Sequence, residues 1–313
     1  VLEVCIEDPD EPKDPETPHF IPAYSQKVKA SKEFQTFQFD HSFVLNSLKS
    51  SMEGYVFHNQ PLDTDDLLEQ TVKLFNSCKT SLELFDMLHN MRAYDDSTYA
   101  HSLNVALICR RIGKWLKVDA ATLDTLTLCG LLHDIGKLKI PDEILNKPGK
   151  YTDEEFDLVK RHTKFGYELL KTLNIDPHIK KAALLHHERC DGSGYPLKAT
   201  QKDLDDFSMV VAIADVYDAM TAARSYRAPL CPFQVIERFE QEGLQKYKPK
   251  FILTFLQHIA STYQNNRVLL SNGQSANIVM LNQQHLARPI VQLNDNSCID
   301  LSTRLDLHIQ SIL

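Results

Sequence analysis

Between residues 62 and 263 apolar side chains recur at the spacing of a helix, and no segment alternates as a strand would. Asp63-Thr64-Asp65-Asp66 supplies a helix cap with early acidic charge, and Leu67, Leu68, Val72 and Phe75 follow on one face. Leu82, Phe85, Leu88 and Met91 continue the pattern. Further helices are expected over 101–116, 120–133, 153–173, 177–188, 207–223, 232–241 and 250–263. Proline and glycine punctuate the gaps at Pro141, Pro148, Gly149, Gly192, Gly194, Pro196, Pro229 and Pro249. A chain patterned this way must bury helix against helix, so the expected fold is mainly α, a helical bundle.

The flanks differ. Residues 7–18 carry Glu7, Asp8, Asp10, Glu11, Asp14 and Glu16 with four prolines, which forbid helix and leave a solvated loop. Residues 34–54 mix apolar and polar side chains without settling an element type, so 1–61 is read as a small N-terminal module of uncertain fold. Connecting helices over 62–94 then lead into the main domain, 95–263. Beyond it, 267–270, Asn272-Gly273 and 277–281 read as a β-hairpin, with 289–293 as a third strand. That makes 264–313 a short C-terminal β appendage.

Composition narrows the class. The 313 residues are 43% hydrophobic and 24% charged, as expected of a globular chain. Thirty-four basic against 42 acidic residues leave a net charge of −8, which argues against a DNA- or RNA-binding scaffold. The longest wholly apolar stretch, 209–214, is far too short to span a bilayer, and the start at Val1-Leu2-Glu3 shows no signal-peptide pattern. Seven cysteines without a CxxC read as reduced thiols, so a cytoplasmic setting is expected.

The chemistry lies in polar residues that occupy apolar positions of the helical period. His101 shares a face with Val105, Ile108 and Ile112, and His133 with Leu123, Leu126 and Gly130. Asp134 follows directly, His162 opens a turn, His186 and His187 end an apolar helix, and Asp215 closes the apolar run. Each alone reads as a satisfied core residue. Together they are separated by 32 (101 to 133), 28 (134 to 162), 24 (162 to 186) and 28 (187 to 215) residues, which sets one ligand group on each successive helix. Five histidines and two aspartates exceed what one tetrahedral zinc needs, and mixed imidazole and carboxylate ligation suits iron or manganese. Two divalent ions bridged by Asp134 would hold a hydroxide and stabilise in-line displacement at phosphorus.

These residues fall in an ordered series. His133-Asp134-Ile135-Gly136-Lys137 resembles the signature of the HD phosphohydrolase superfamily, and 186–196, ending Gly194-Tyr195-Pro196, resembles the extended signature of its HD-GYP branch. The likeness continues through 140–145, Arg161-His162-Thr163, 215–220 and 224–227, covering roughly 95–260. It implies an HD-type bundle and a bacterial phosphodiesterase that opens cyclic di-GMP to linear pGpG, in some members on to GMP. It further implies His101, His133, Asp134, His162, His186, His187 and Asp215 as metal ligands, with Asp134 and Lys137 catalytic. Lys137, Tyr195, Arg224 and Arg227 would touch the substrate, and Arg189 and Asp191 are expected to brace the glycine-rich loop against each other.

Some departures matter. Certain relatives place a glutamate four residues before the first histidine to help hold a third metal; here Ser97 stands there. Asp96 and Asp95 are rotated by about 100° and 200° around the helix, so a two-metal site is expected. Cys190 replaces a common aromatic and could make the site sensitive to oxidation, and Lys139 could add a cation near the phosphates. Two other readings stay open: a phosphohydrolase of another nucleotide or cyclic dinucleotide, and a receptor that binds cyclic di-GMP without converting it. The N-terminal module could pair two subunits as a homodimer or receive a signalling partner.

Overall fold

The computed structural model describes residues 23–91, 97–147, 149–222, 229–242 and 244–313. The acidic, proline-rich loop, Asp95, Asp96, Pro148, Arg224 and Arg227 lie outside the described residues. The helices run α1 (Ala23–Ala30), α2 (Lys32–His58), α3 (Thr64–Ser77), α4 (Ser81–Met91), α5 (Thr98–Trp115) and α6 (Ala120–Leu132). A 3-10 turn, Ile135–Lys139, precedes α7 (Asp142–Leu145), α8 (Asp153–Lys160), α9 (His162–Leu170), α10 (Pro177–Leu185) and α11 (Asp206–Thr221). Helices α12 (Pro232–Glu242) and α13 (Pro249–Thr262) end the bundle. Among the described residues, no helix is long and apolar enough to cross a membrane.

Caps fix most of these starts. Ser31, Asp63, Ser97, Asp119, Asp176 and Asp205 each accept a backbone N–H of the first turn, and Thr152 forms a reciprocal capping box with Glu155. The segment whose type the sequence does not settle is the 27-residue α2, packed on α3, α4 and α5. Its buried positions, Phe34, Phe37, His41, Val44, Leu45, Leu48 and Met52, keep helical spacing. Exposed Phe39, Phe43 and Phe57 on the remaining surface blur that stripe when the sequence is read alone. The helix expected over 153–173 is two helices, divided at Arg161, where Thr163 Oγ1 donates to the Lys160 carbonyl at 3.0 Å.

Helices α5 and α11 form the centre. Phe85 of α4 packs on Trp115 of α5 (6.0 Å between centroids) and edge-on to Tyr217 of α11 (5.5 Å). Tyr217 in turn meets Phe255 of α13 at 5.2 Å. Close backbone approaches set the remaining spacing. A Cβ on Gly130 would lie 2.7 Å from the Ala106 Cα, so glycine lets α6 press against α5. A Cβ on Gly136 would lie 1.9 Å from the His162 carbonyl oxygen, so only glycine lets the 3-10 turn lie on α9.

The tail is an antiparallel sheet of β1 (Arg267–Leu270), β2 (Ser275–Met280), β3 (Ile290–Leu293), β4 (Cys298–Asp300) and β5 (Ile309–Ile312), ordered β4-β3-β2-β1-β5. Val268 faces Ala276 and Ile278 faces Val291 in register. Gly273, at φ +81, completes the expected hairpin turn. Strands β4 and β5 are additions to the sequence reading, being three and four residues long with little apolar alternation. The sheet joins α12 through Arg288–Glu237 (2.6 Å) and the Leu286 N–H bonded to Glu240 (2.8 Å).

Two outcomes test this packing. Gly130→Ala should lower unfolding free energy by about 1–3 kcal/mol in urea titration. Gly166→Ala should cost less, because the nearest atom to its Cβ would be the Ala183 Cβ at 3.3 Å, with the Gly136 nitrogen at 3.5 Å and Ile135 at 3.7 Å in ordinary contact. Burial pushes the Asp86 carboxyl up to about 7, opposed only in part by the Tyr24 hydroxyl bonded to it. The folded chain therefore holds that proton more tightly than the unfolded one, and the associated stability is lost as pH rises from about 4 to 7. The slope is at most about 1.4 kcal/mol per pH unit, and Asp86→Asn should flatten it in pH-dependent melts.

Candidate metal centre

Three of the histidines, His133, His162 and His186, sit at or beside a helix end where a backbone carbonyl reaches the ring. His133, the residue closing α6, donates from Nδ1 to the Gly130 carbonyl at 2.7 Å. His162 at the start of α9 donates to Val159 at 2.6 Å, and His186 after α10 donates to Ala182 at 2.9 Å. With the proton held on Nδ1, each Nε2 carries a bare lone pair aimed inward. His101 on α5 differs: its Nδ1 lies 2.8 Å from the Asp218 carboxylate on α11. Such outer partners fix the tautomer and orientation of a ligating imidazole.

The inward atoms form two groups that share one residue. Asp134, His162, His186 and His187 bring their donor atoms within 4.8 Å of one another, as do His101, His133 and Asp215. Asp134 connects the groups. Its Oδ1 lies 3.4 Å from His162 Nε2 and 3.7 Å from His186 Nε2. Its Oδ2 lies 3.3 Å from His133 Nε2 and 3.6 Å from His101 Nε2. Asp215 completes the second group, 3.0 Å from His101 Nε2 and 3.8 Å from His187 Nδ1.

This arrangement makes poor sense as ordinary core. His162 Nε2 and His186 Nε2 stand 3.2 Å apart, two lone pairs facing each other beside a carboxylate oxygen, with no proton to share. Buried Nε2 of His133 and Oδ1 of Asp134 have no hydrogen bond among the described residues. Leaving such groups unsatisfied costs about 1–3 kcal/mol apiece. Bonds of about 2.0–2.1 Å to one ion would bring two nitrogens to about this separation. The donor set therefore fits two divalent cations.

Electrostatics agree. Burial holds His162 down to about 3, and His186 and His187 well below the ordinary histidine range, so all three are neutral and able to ligate. Burial opposes ionisation of Asp134, but the Lys137 ammonium beside it outweighs burial and keeps the carboxyl well below the carboxylate range. Asp215 is likewise held low against burial by His101 and His133. Burial disfavours charge on His101, yet Asp215 and Asp218 outweigh it and raise the imidazole to about 9.

Lys137, on the 3-10 turn, pairs with Asp134 Oδ2 at 2.5 Å and also lines a cavity of about 330 Å³ whose floor includes His101 and Asp218. Tyr195 stacks on the His187 ring at 4.7 Å between centroids and forms part of the centre's wall. Its loop is held by buried Glu188, which accepts from the Leu197 and Ala199 N–H groups at 2.5 and 3.0 Å. A Cβ at Gly194 would come within 2.4 Å of the His187 carbonyl, so the loop can cross there only as glycine. Arg189 binds the His186 and Glu188 carbonyls, and Asp191 accepts from Ser193, so each braces the loop through local partners instead of through the other.

Other expectations change. Lys139 is exposed and reaches the Val56 carbonyl at the end of α2 (3.4 Å), so its local partner is α2 and not the phosphate floor. Burial pushes the Cys190 thiol up, which disfavours the reactive thiolate and argues against oxidation sensitivity. Ser97 caps α5. Asp218 was missed as a functional residue; its signal was its place one turn after Asp215 on the same helix.

A family model described as HD domain matches residues 66–251. The chain belongs to the HD-domain family, and its domain is of the HD-GYP type. It is 34% identical over 183 residues to the "3′3′-cGAMP-specific phosphodiesterase 2" of Vibrio cholerae, covering 58% of this chain and 35% of that one. It is 33% identical over 207 residues to the "Cyclic di-GMP phosphodiesterase PA4108" of Pseudomonas aeruginosa, covering 66% and 50%. A Thermotoga maritima "Cyclic di-GMP phosphodiesterase" is 35% identical over 178 residues, covering 56% and 48%. The chain thus spans between about a third and half the length of these relatives. In fold it is similar to the HDG"Y"P protein Bd1817 of Bdellovibrio bacteriovorus, with TM-score 0.52, 18% identity and coverage of 75% of this chain and 74% of that one.

Asp218→Asn should weaken manganese binding by about 10–100-fold. Fluorescence or calorimetric titration would show it, while the melting temperature of the metal-free chain should stay nearly constant.

Proposed function

We propose that this chain is a metal-dependent phosphodiesterase that hydrolyses cyclic di-GMP to linear pGpG. The supporting observation is the buried cluster of imidazole nitrogens and carboxylate oxygens beneath a cavity that Lys137 also lines. His101, His133, Asp134, His162, His186, His187 and Asp215 would hold two divalent ions, iron or manganese, with Asp134 common to both. When bound, such a pair supplies Lewis acidity and a hydroxide nucleophile at neutral pH.

The protein's own groups do the rest. Lys137 presents its charge to a non-bridging phosphate oxygen as negative charge builds there. Asp134, held ionised by its neighbours, keeps that ammonium in place through its Oδ2. Asp218 orients His101, and Tyr195 with His187 walls the centre from water. The relatives' names support a cyclic dinucleotide as substrate, and the Vibrio cholerae likeness makes 3′3′-cGAMP the second candidate. Cysteines that are free among the described residues support a cytoplasmic setting for this activity.

Protein purified without oxygen and loaded with manganese should convert cyclic di-GMP to pGpG, identified by mass spectrometry. Joint replacement of His133 and Asp134 by alanine should reduce turnover by about a thousandfold or more. Lys137→Ala should lower kcat by about a hundredfold. Undiminished turnover in the double variant would overturn the reading.

A further inference from the structure

The cavity above the metal centre is walled by residues from outside the matched domain. Glu53 and Phe57, one turn apart on the last part of α2, both line it, although the family match begins at residue 66. The lining also includes Asp142 of α7 and Tyr151 beyond it. The cavity therefore joins a cationic, metal-ligating floor at His101 and Lys137 to a rim that is aromatic and acidic. An acidic rim repels a phosphate diester. Its chemistry suits the part of a nucleotide that carries hydrogen-bond donors.

We propose that the end of α2 forms a purine subsite selective for guanine, resting on the cyclic dinucleotide reading given above. Phe57 is 54% exposed, an unusual setting for an aromatic ring at a cavity mouth, and offers a stacking platform for the base. Lys139 Nζ lies 5.6 Å from its centroid and can occupy one face while the base takes the other. Glu53 supplies the discrimination. Guanine presents N1–H and an N2 amino group side by side, two donors matched to one carboxylate, whereas adenine sets an amino donor beside the acceptor N1, which a carboxylate repels.

Tyr99 positions that carboxylate. Its hydroxyl donates to Glu53 Oε1 at 2.9 Å, and it stands two residues before His101 on α5. A carboxylate has about four lone-pair sites. One is taken by Tyr99, and the others exceed what the two guanine donors require. Base and phosphate recognition are thereby tied to the same helix, α5, which holds Tyr99 under the rim and His101 in the floor.

GMP and AMP share a phosphate and differ in the base, so they are the probes. Calorimetric titration of the manganese-loaded chain should show tighter binding of GMP. Glu53→Gln should weaken GMP by about tenfold while leaving AMP within about twofold. Phe57→Ala should weaken both nucleotides by similar factors. Tyr99→Phe should raise KM for cyclic di-GMP with kcat nearly unchanged. Equal loss of GMP and AMP in Glu53→Gln, or no loss of either, would overturn the subsite even if cyclic di-GMP is turned over. A Glu53-dependent GMP preference in a chain that hydrolyses no cyclic dinucleotide would uphold the subsite and sink the proposed activity instead.

Discussion

Asp134 is a carboxylate almost fully excluded from water, 1% exposed, and the bundle is arranged around keeping it ionised. Each of its oxygens faces a different set of imidazole nitrogens, and Lys137 balances the Oδ2 side. An isolated charge in that position would be far too costly to keep. The histidines cannot neutralise it by donating, since three of them spend their ring proton on a backbone carbonyl. Lys137 supplies part of the positive charge that two buried carboxylates, Asp134 and Asp215, call for, and two bound cations would supply the rest. The close glycine contacts are consequences of the same demand. Gly130 brings α6 onto α5 just before His133, and Gly136 lays the following turn on α9 beside His162.

Much of this was legible because the bundle writes its interior in a helical period. His101, His133, His162, His186, His187 and Asp215 interrupt or end apolar stripes, and the structure brings them into two adjoining groups with Asp134 between. Asp218 was less legible: an acid one turn from another acid reads as a solvated face until its partner, His101, is placed across from it. Helix α2 escaped assignment because exposed phenylalanines share its surface with the buried stripe. The two short strands escaped because three or four residues carry too little alternation to distinguish them from a loop. Lys139 was misplaced for a related reason, since sequence proximity to Lys137 says nothing about which way a side chain leaves a 3-10 turn.

The division of labour follows from which element supplies which chemistry. Helix ends and the 3-10 turn, where backbone carbonyls are open, orient the imidazoles. The glycine-rich loop, tied down by Glu188, carries Tyr195 over His187. Helix α2 stands outside the matched domain yet contributes Glu53 and Phe57 to the cavity, while the histidines and aspartates of the cluster lie on other elements.

Buried acceptors on α5, α9 and α11, with those at the ends of α6 and α10, would be balanced by two bound ions. Elemental analysis of protein purified and kept without oxygen tests it most directly. Two equivalents of iron or manganese per chain, both lost on Asp134→Ala, are predicted. Protein that stays folded and carries less than one equivalent after reconstitution with either metal would contradict it.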